Sequence, residues 1–267
     1  MSKDKLQTIL YNVENNIARV TLNRPEVHNA FNDTMINELS TVFDDIEKNA
    51  LVRVVILTGQ GKSFCAGADL NWMRRVKDYS YEDNLKESLD LAEMFYKIYA
   101  SPKPTIARVN GAAIGGGTGL VAVCDIAIAA TKAKFSFSEV KLGLIPACIS
   151  PYVIKKCGEG KCREFFLTGE RLTAEKAYNA GLVNNVISLE EIDRVVDELV
   201  NQLISSGPEA IKKCKELLRK VPEISLAEAK KYTAEVIAQL RISEEGQEGM
   251  NTFLEKRKPR WASDSNG

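Results

Sequence analysis

Histidine is nearly absent from this sequence, since His28 is the only one among 267 residues. Catalysis by a Ser-His-Asp or Cys-His set is therefore excluded unless His28 is the base, and histidine-rich zinc sites are excluded altogether. His28 lies in the turn-like stretch RPEVHNAF, where we expect it to have a surface or hydrogen-bonding role.

Net charge and long apolar runs are missing as well. The chain has 36 basic and 36 acidic residues, so it offers no general attraction to a polyanion, and nucleic acid is not an expected partner. No apolar run approaches the roughly 20 residues that cross a bilayer, and MSKDKLQTILYN carries no recognisable export or organelle signal. The six cysteines form no CxxC pair, which is typical of reduced, mostly structural thiols. We therefore expect a cytoplasmic protein that does not bind membranes.

Strand and helix signals alternate through the first 190 residues. The predicted elements are strands at 17–23, 52–59 and 105–109 and amphipathic helices at 32–49 and 81–100. Strands separated by helices favour an α/β fold with a mainly parallel sheet. After about residue 189 only helical patterns follow, with Pro208 at one helix start and a capping box of Ser225 and Glu228 at another. We predict a core over residues 1–190 and a C-terminal helical region over 191–267 that builds subunit contacts.

Two glycine-rich loops resemble phosphate-binding motifs, but neither has the required spacing. TGQGKSF (58–64) ends in Gly-Lys-Ser, yet Ile56 stands where the first glycine of GxxxxGK[ST] belongs. AAIGGGTGL (112–120) fails the dinucleotide motif GxGxxG because Leu120 stands in place of the third glycine. Both loops therefore need another ligand.

The segments SFCAGADL (63–70) and IGGGTGL (114–120) follow the strands at 52–59 and 105–109, so both should emerge at one carboxyl edge of a parallel sheet. Their small residues leave main-chain N–H groups uncovered. Two such donors make an oxyanion hole, in which one donor supplies about 2.7–4 kcal/mol to a transition state with negative charge on oxygen. Tight packing of a helix on a sheet is the alternative reading of the glycine cluster.

Glu139 is the carboxylate that stands out, because it interrupts the otherwise apolar stretch FSFSEVKLGLIP (135–146). Burial there would raise its pKa and make it a usable acid or base near neutral pH. The alternative is a glutamate on an edge strand that faces water.

Taken together, these segments resemble a known family. SFCAGADL, NGAAIGGGTGLVAVCDIAIAA and FSFSEVKLGLIP occur in the order and spacing of the enoyl-CoA hydratase/isomerase, or crotonase, superfamily, and LNRPEVHNAFN and TGERLTAEKAYNAGLVNNVI resemble its flanking segments. The resemblance covers residues 6–260 and, through SEVKLGLIPACISPYVI, looks closest to bacterial methylglutaconyl-CoA hydratase-like members. It implies a spiral of ββα turns with two roughly perpendicular sheets, and C-terminal helices that assemble homotrimers or homohexamers.

The resemblance also implies a site. The thioester carbonyl would be held by the N–H groups of Ala68 and Gly116, and Glu139 would transfer protons. The acyl-CoA would lie along the AGADL loop and the turn after LNRP, with the C-terminal helix of an adjoining subunit reaching its nucleotide. The implied substrate contacts are Val27, Ala66, Ala68, Asp69, Leu70, Gly116, Gly119, Phe253 and Lys256. Coenzyme A is then part of the substrate, and no metal or redox cofactor is implied.

Gly119 departs from the pattern of the hydratases, which usually carry a second glutamate there. A single carboxylate must then both activate water at Cβ and deliver a proton to Cα, or a water molecule must take the place of the second carboxylate. We expect the glycine to enlarge the pocket for a branched or bulky acyl chain. Our first hypothesis is hydration of the 2,3 double bond of an enoyl-CoA, with 3-methylglutaconyl-CoA preferred, in acyl-CoA or branched-chain amino acid catabolism. The alternatives are a Δ3,Δ2-enoyl-CoA isomerase with a single glutamate and a non-catalytic scaffold that binds acyl-CoA or RNA.

Overall fold

The strands of the computed structural model, which describes residues 6–263, form two sheets. They are β1 (Ile9–Glu14), β2 (Ile17–Leu22), β3 (Val54–Gly59), β4 (Ser63–Cys65), β5 (Thr105–Val109), β6 (Ala112–Ile114), β7 (Ile126–Ala130), β8 (Lys134–Ser136), β9 (Arg171–Thr173) and β10 (Asn185–Ile187). The larger sheet has the order β1-β2-β3-β5-β7-β10 and is parallel beyond the β1–β2 pair. The smaller sheet has the order β4-β6-β8-β9 and is parallel apart from the β8–β9 pair. The predicted α/β fold with a mainly parallel sheet is confirmed.

Helices follow pairs of strands along the chain. They are α1 (Asp33–Lys48), α2 (Leu70–Val76), α3 (Tyr81–Ala100), α4 (Gly116–Val123), α5 (Ser150–Thr168), α6 (Ala174–Asn179), α7 (Ile192–Ile204), α8 (Pro208–Lys220), α9 (Leu226–Ile242), α10 (Glu244–Glu255) and α11 (Arg260–Ser263). The helices predicted at 32–49 and 81–100 are confirmed as α1 and α3.

A ββα unit recurs through the core. β3, β5 and β7 enter the larger sheet, and the strand that follows each of them enters the smaller sheet. β3 is buried at every position, as expected for a parallel strand covered on both faces. Where the chain passes from β5 to β6, a Cβ at Gly111 would overlap the carbonyl oxygen of Lys62, so the change of sheet needs glycine. The spiral of ββα turns is therefore confirmed.

α1 shows how the sequence pattern fixes an element in place. The Asn32 side chain accepts the N–H of Met35 (2.9 Å), which caps the helix and sets its start. The apolar face of α1 is fully buried and comprises Met35, Ile36, Leu39, Val42, Phe43 and Ile46. Each side chain of this kind stabilises the fold by about 1.5–3 kcal/mol when buried. This face holds α1 against β1 and α3.

The C-terminal helices divide between the core and the surface. α7 buries Ile192, Val196, Val200 and Ile204 against the larger sheet, where they meet Val54, Ile56, Ile106 and Ile128. α7 thus packs on the core although it follows residue 190, and the division into a core over residues 1–190 and a helical region over 191–267 stays a prediction. Beyond α7, Pro208 begins α8, and Ser225 and Glu228 form the predicted capping box of α9.

All six cysteines are free thiols, and Cys65 and Cys124 are buried. His28 is exposed, and its Nδ1 lies 3.0 Å from the Ser63 hydroxyl, which confirms a hydrogen-bonding role. No helix within residues 6–263 is long and apolar enough to cross a membrane.

Candidate active site

Three parallel strands of the smaller sheet end side by side. Cys65 of β4 pairs with Ala113 of β6, which in turn pairs with Phe135 of β8. The chain leaves these strands into residues 66–69, 115–116 and 137–139. The expectation that the first two loops emerge at the edge of the sheet that holds β3 and β5 is wrong, because β4 and β6 intervene and belong to the other sheet. The expected common carboxyl edge exists, but it belongs to the smaller sheet.

The N–H group of Ala68 faces away from the segment that pairs with its loop. The Phe31 N–H donates to the Gly67 carbonyl (2.6 Å), and the Asp69 N–H donates to the Phe31 carbonyl (2.8 Å). In a parallel pair of this pattern the main-chain groups of the middle residue, Ala68, point to the other side. Within the described residues its N–H has no hydrogen-bond acceptor. It is a main-chain donor available to a ligand.

A second donor stands at the start of α4. Gly115 has φ +52° and ψ −121°, a conformation that favours glycine, and its own N–H donates to the Ser136 carbonyl (2.8 Å). α4 begins at Gly116, whose N–H has no preceding turn to accept it and no other acceptor in residues 6–263. The two donor loops touch, since a Cβ at Gly67 would lie 2.9 Å from the Ile114 carbonyl oxygen. The positive end of α4 further favours negative charge here.

Glu139 lies in a 3-10 turn, Ser138–Leu142, that follows β8. Its carboxylate lies against Gly115, where an added Cβ would be 3.1 Å from Oε1. Oε2 is buried and has no hydrogen-bond partner among the described residues. Burial raises the pKa of Glu139, and a hydrogen bond from its own backbone opposes the rise. The alternative of a glutamate facing water is wrong, and the carboxyl is suited to exchange protons near neutral pH.

Two main-chain donors and one carboxylate form a compact chemical unit. The donors can polarise a carbonyl oxygen and stabilise the negative charge that develops on it. A carboxylate beside them can take or give a proton at the carbons next to that carbonyl. The structure places the loops of Ala68, Gly116 and Glu139 side by side, and the catalytic roles of these residues stay predictions.

The Asp69 carboxylate is held within the protein, and the role of this residue as a substrate contact stays a prediction. Its Oδ1 accepts the N–H groups of Asn71 (2.7 Å) and Trp72 (3.2 Å), which caps α2. Its Oδ2 accepts Nη2 of Arg24 (2.7 Å), whose Nη1 donates to the Ala30 carbonyl (2.7 Å). Burial acts to raise the pKa of Asp69, but these hydrogen bonds outweigh it and the pKa is lowered. Both carboxylate oxygens are engaged within the protein, so Asp69 holds the Ala68 loop in place.

Gly119 does not enlarge the pocket, and this expectation is wrong. A Cβ at position 119 would overlap Cγ2 of Ile149 and would lie 3.1 Å from Cε1 of Phe95. Ile149 is 3% exposed and fills the space that the missing side chain leaves. A side chain at position 119 would therefore point at the Ile149 side chain and not into an open cavity.

Val27, Ala66 and Leu70 lie on the same surface as Ala68. The Ala66 N–H donates to the His28 carbonyl (3.0 Å), which joins its loop to the 3-10 turn Pro25–Val27. Val27 is 36% exposed and Leu70 is 70% exposed, so both side chains are accessible to a ligand. Their roles as substrate contacts stay predictions.

Phe253 and Lys256 lie at the end of α10, away from these loops. Phe253 is 84% exposed, and Lys256 ends the helix in a left-handed conformation. None of the hydrogen bonds or ion pairs in the described part of the chain joins either residue to the loops around Glu139. Within one chain they do not complete the site, and their predicted contact is with an adjoining subunit.

Several functional residues were not predicted from the sequence. Arg24 lies in the quoted LNRP segment, but its ion pair with Asp69 spans 45 positions. Phe31 and Ile149 read as ordinary apolar residues, and no local pattern assigns them to the site. In residues 6–263 no group of three or more His, Cys, Asp or Glu side chains could hold a metal ion.

Comparison with known proteins agrees with this geometry. The model of the enoyl-CoA hydratase/isomerase family matches residues 12–264. A short-chain-enoyl-CoA hydratase of Clostridium acetobutylicum is 32% identical over 256 residues, which are 95% of this chain and 97% of the relative. A crystal structure of an enoyl-CoA hydratase from Shewanella pealeana has a TM-score of 0.94 at 39% identity and covers 97% of both chains. Pseudomonas aeruginosa AtuE has a TM-score of 0.93 at 32% identity, over 96% of this chain and all of its own. The chain therefore belongs to the enoyl-CoA hydratase/isomerase family, within the crotonase superfamily.

Proposed function

We propose that this chain adds water across the 2,3 double bond of an enoyl-CoA thioester. The observation that carries the proposal is the unpartnered, buried Oε2 of Glu139 beside Gly115, one residue before the N–H donor of Gly116. Family membership and the hydratase names of the relatives support the same reaction. Coenzyme A enters as part of the substrate.

In the proposed reaction, Ala68 and Gly116 bind the thioester oxygen, and Glu139 first accepts a proton and then donates one. The thioester oxygen accepts the N–H groups of Ala68 and Gly116. Glu139 takes a proton from water as the water oxygen bonds to Cβ, and the double-bond electrons move toward the thioester to form an enolate. The Glu139 carboxyl then returns a proton to Cα, so that one H and one OH are added and the carboxylate is regenerated. The oxyanion donors lower the barrier by stabilising the enolate oxygen.

The substrate proposal is a short or branched 2-enoyl group, with 3-methylglutaconyl-CoA as the preferred member. Its support is the resemblance of SEVKLGLIPACISPYVI to methylglutaconyl-CoA hydratase-like proteins, since the space beside Gly119 is filled. The test measures loss of enoyl-thioester absorbance with crotonyl-CoA and 3-methylglutaconyl-CoA, followed by mass spectrometry of the products. If crotonyl-CoA gives a hydroxyacyl product and 3-methylglutaconyl-CoA does not, the hydratase proposal stands and the branched-substrate proposal is rejected.

Glu139→Gln tests the catalytic assignment. Loss of a positioned acid and base is expected to lower kcat by about 10²–10⁴-fold. Glu175→Gln is the matched control, since Glu175 is exposed on α6 and should leave the rate unchanged. An unchanged rate in Glu139→Gln would refute the assignment of proton transfer to Glu139, whereas a wild type that converts no enoyl thioester would favour the acyl-CoA-binding or RNA-binding scaffold.

Isomerisation of a 3-enoyl to a 2-enoyl thioester is the second candidate. The single carboxylate favours it, because moving one proton between two carbons needs one group. A 3-enoyl-CoA substrate that gives the 2-enoyl isomer, with no hydroxyacyl product, would support it over hydration.

We also propose that the chain assembles as a homotrimer or homohexamer. The C-terminal helices expose large apolar side chains, including Leu226, Ile242, Phe253 and Leu254. Exposed apolar surface of this kind marks interaction sites. Light scattering coupled to gel filtration should give three or six times the mass of the chain, and a monomer mass would refute the proposal.

A further inference from the structure

The residue that faces position 119 is Ile149, which stands immediately before α5. Its carbonyl accepts the N–H groups of Tyr152 (3.1 Å) and Val153 (3.2 Å), so the first turn of the helix fixes it. A Cβ at Gly119 would overlap Cγ2 of Ile149 and lie 3.0 Å from its Cβ. Residues 119 and 149 therefore compete for one volume.

This volume adjoins the oxyanion donor. A Cβ at Gly116 would lie 3.0 Å from Cε2 of Phe31 and 3.8 Å from Cζ of Phe95. Gly119 follows one turn later and faces the same Phe95 ring. Phe31, Phe95 and Ile149 thus cover the first turn of α4 with an apolar wall, and the carboxylate of Glu139 lies at its start against Gly115.

The wall limits which side chains can project from the first turn of α4. A side chain at position 119 would project from the first turn of α4 into the volume that Ile149 occupies. With glycine there, the first turn presents main-chain N–H groups and no acid of its own. Glu139 lies against Gly115 at the start of this turn, with its Oε2 buried and unpartnered among the described residues and its pKa raised by burial.

We propose that Ile149 is a specificity-determining residue that reserves proton transfer for Glu139 by filling the volume from which a second acid on α4 would act. This inference rests on the proposed function for its catalytic meaning. Ile149 acts through the space it fills and touches no proton itself. Both the proton taken from water and the proton given to Cα pass through the same carboxyl.

The first test places a large side chain at position 119 and then a glycine at position 149. Gly119→Glu should lower the melting temperature and cut kcat/KM by about 10²-fold or more, because the new side chain displaces Ile149 and shifts the donor loop. Adding Ile149→Gly should bring both values back to those of Ile149→Gly alone. The pH profile of the double variant should then gain an ionisation that the wild type lacks. Equal melting temperatures for Gly119→Glu and the double variant would overturn the inference.

The second test asks whether Ile149 governs the environment of Glu139. Ile149→Ala opens the wall to water, so the acid limb of the kcat/KM profile should move to lower pH as the burial of Glu139 decreases. Ile154→Ala is the matched control, because Ile154 lies on the same helix and is 42% exposed. A purely structural role would lower the melting temperature of Ile149→Ala and leave the limb in place, which would overturn the proposal.

These outcomes are separable from failure of the proposed function. The profiles are measured for whichever reaction the wild type catalyses, hydration or isomerisation. If the wild type converts neither a 2-enoyl nor a 3-enoyl thioester, the proposed function fails. The melting temperatures of the exchange variants then still decide whether Gly119 and Ile149 compete for one volume.

Discussion

Replacing Asp69 with asparagine would remove one charge from a buried ion pair and leave the cap of α2 in place. Asparagine is as good a cap as aspartate, so its side-chain oxygen can still accept the N–H groups of Asn71 and Trp72. What is lost is the partner of Arg24, whose guanidinium lies 2.7 Å from Oδ2. The substitution therefore isolates the ion pair from the helix cap.

The expected cost follows from the burial of the pair. The side chains of Arg24 and Asp69 are 17% and 6% exposed. Removing one partner of a buried pair costs about 3–5 kcal/mol. The lower end, about 3 kcal/mol, applies because Arg24 keeps its hydrogen bond to Ala30. For a chain of this size that corresponds to a fall in melting temperature on the order of 6–12 °C.

Urea unfolding at fixed protein concentration measures this cost. Asp33→Asn is the control, since its ion pair with Arg75 has both side chains 53% exposed and should contribute about 0–1 kcal/mol. Because the pKa of Asp69 is lowered in the folded protein, its contribution is present above about pH 3.9 and is lost as the pH falls through the folded-state pKa. Equal costs for the two variants at neutral pH would refute the argument that this pair holds the Ala68 loop.

Further predictions concern α8, Gly115 and the Glu139 carboxyl. Lys215→Met should cost about 3 kcal/mol in urea unfolding, because the buried Lys215 binds Asp125, whereas Lys213→Met, which breaks a surface pair, should cost at most about 1 kcal/mol. Gly115→Ala should lose about 1–3 kcal/mol and most activity, since φ is +52° and the new Cβ would crowd Glu139; unchanged stability and rate would contradict this. If Glu139 acts as an ionised base, kcat/KM should fall as the pH drops through its raised pKa, and a limb at the ordinary glutamate value would contradict the burial argument. Glu139→Gln should resist more urea than wild type at pH 7, because an unpaired buried carboxylate is removed; a lower midpoint would oppose it.

Long elements with a clear period could be predicted from the sequence, and short ones could not. The apolar face of α1 and its cap at Asn32 set its limits to within one residue. β4 (Ser63–Cys65) and β6 (Ala112–Ile114) are three residues long, too short to show an alternating pattern. They form because parallel partners and the glycine turns place them beside each other, which is tertiary information. The second sheet was therefore missed by local pattern reasoning, even though the site lies at its edge.

The candidate site shows the same division. Ala68, Gly116 and Glu139 stand in motifs whose order identifies them. Ile149 has no such signal, because its role depends on a contact with a glycine 30 positions earlier. The loop motif predicts a substrate contact at Asp69, but it does not predict that the carboxylate oxygens bind α2 and Arg24, 45 positions away.

The polarising half of the site consists of peptide groups, which has a consequence for how such a protein can change. Every residue except proline has a backbone N–H, so replacements at 68 or 116 other than proline cannot delete the donors and can only displace them. The proposed capacity to stabilise an enolate therefore depends on the path of the main chain and not on particular side chains. Mutation can alter the reaction at positions such as 119, 139 and 149 while that capacity stays in place, which allows one scaffold to support several reactions of thioesters.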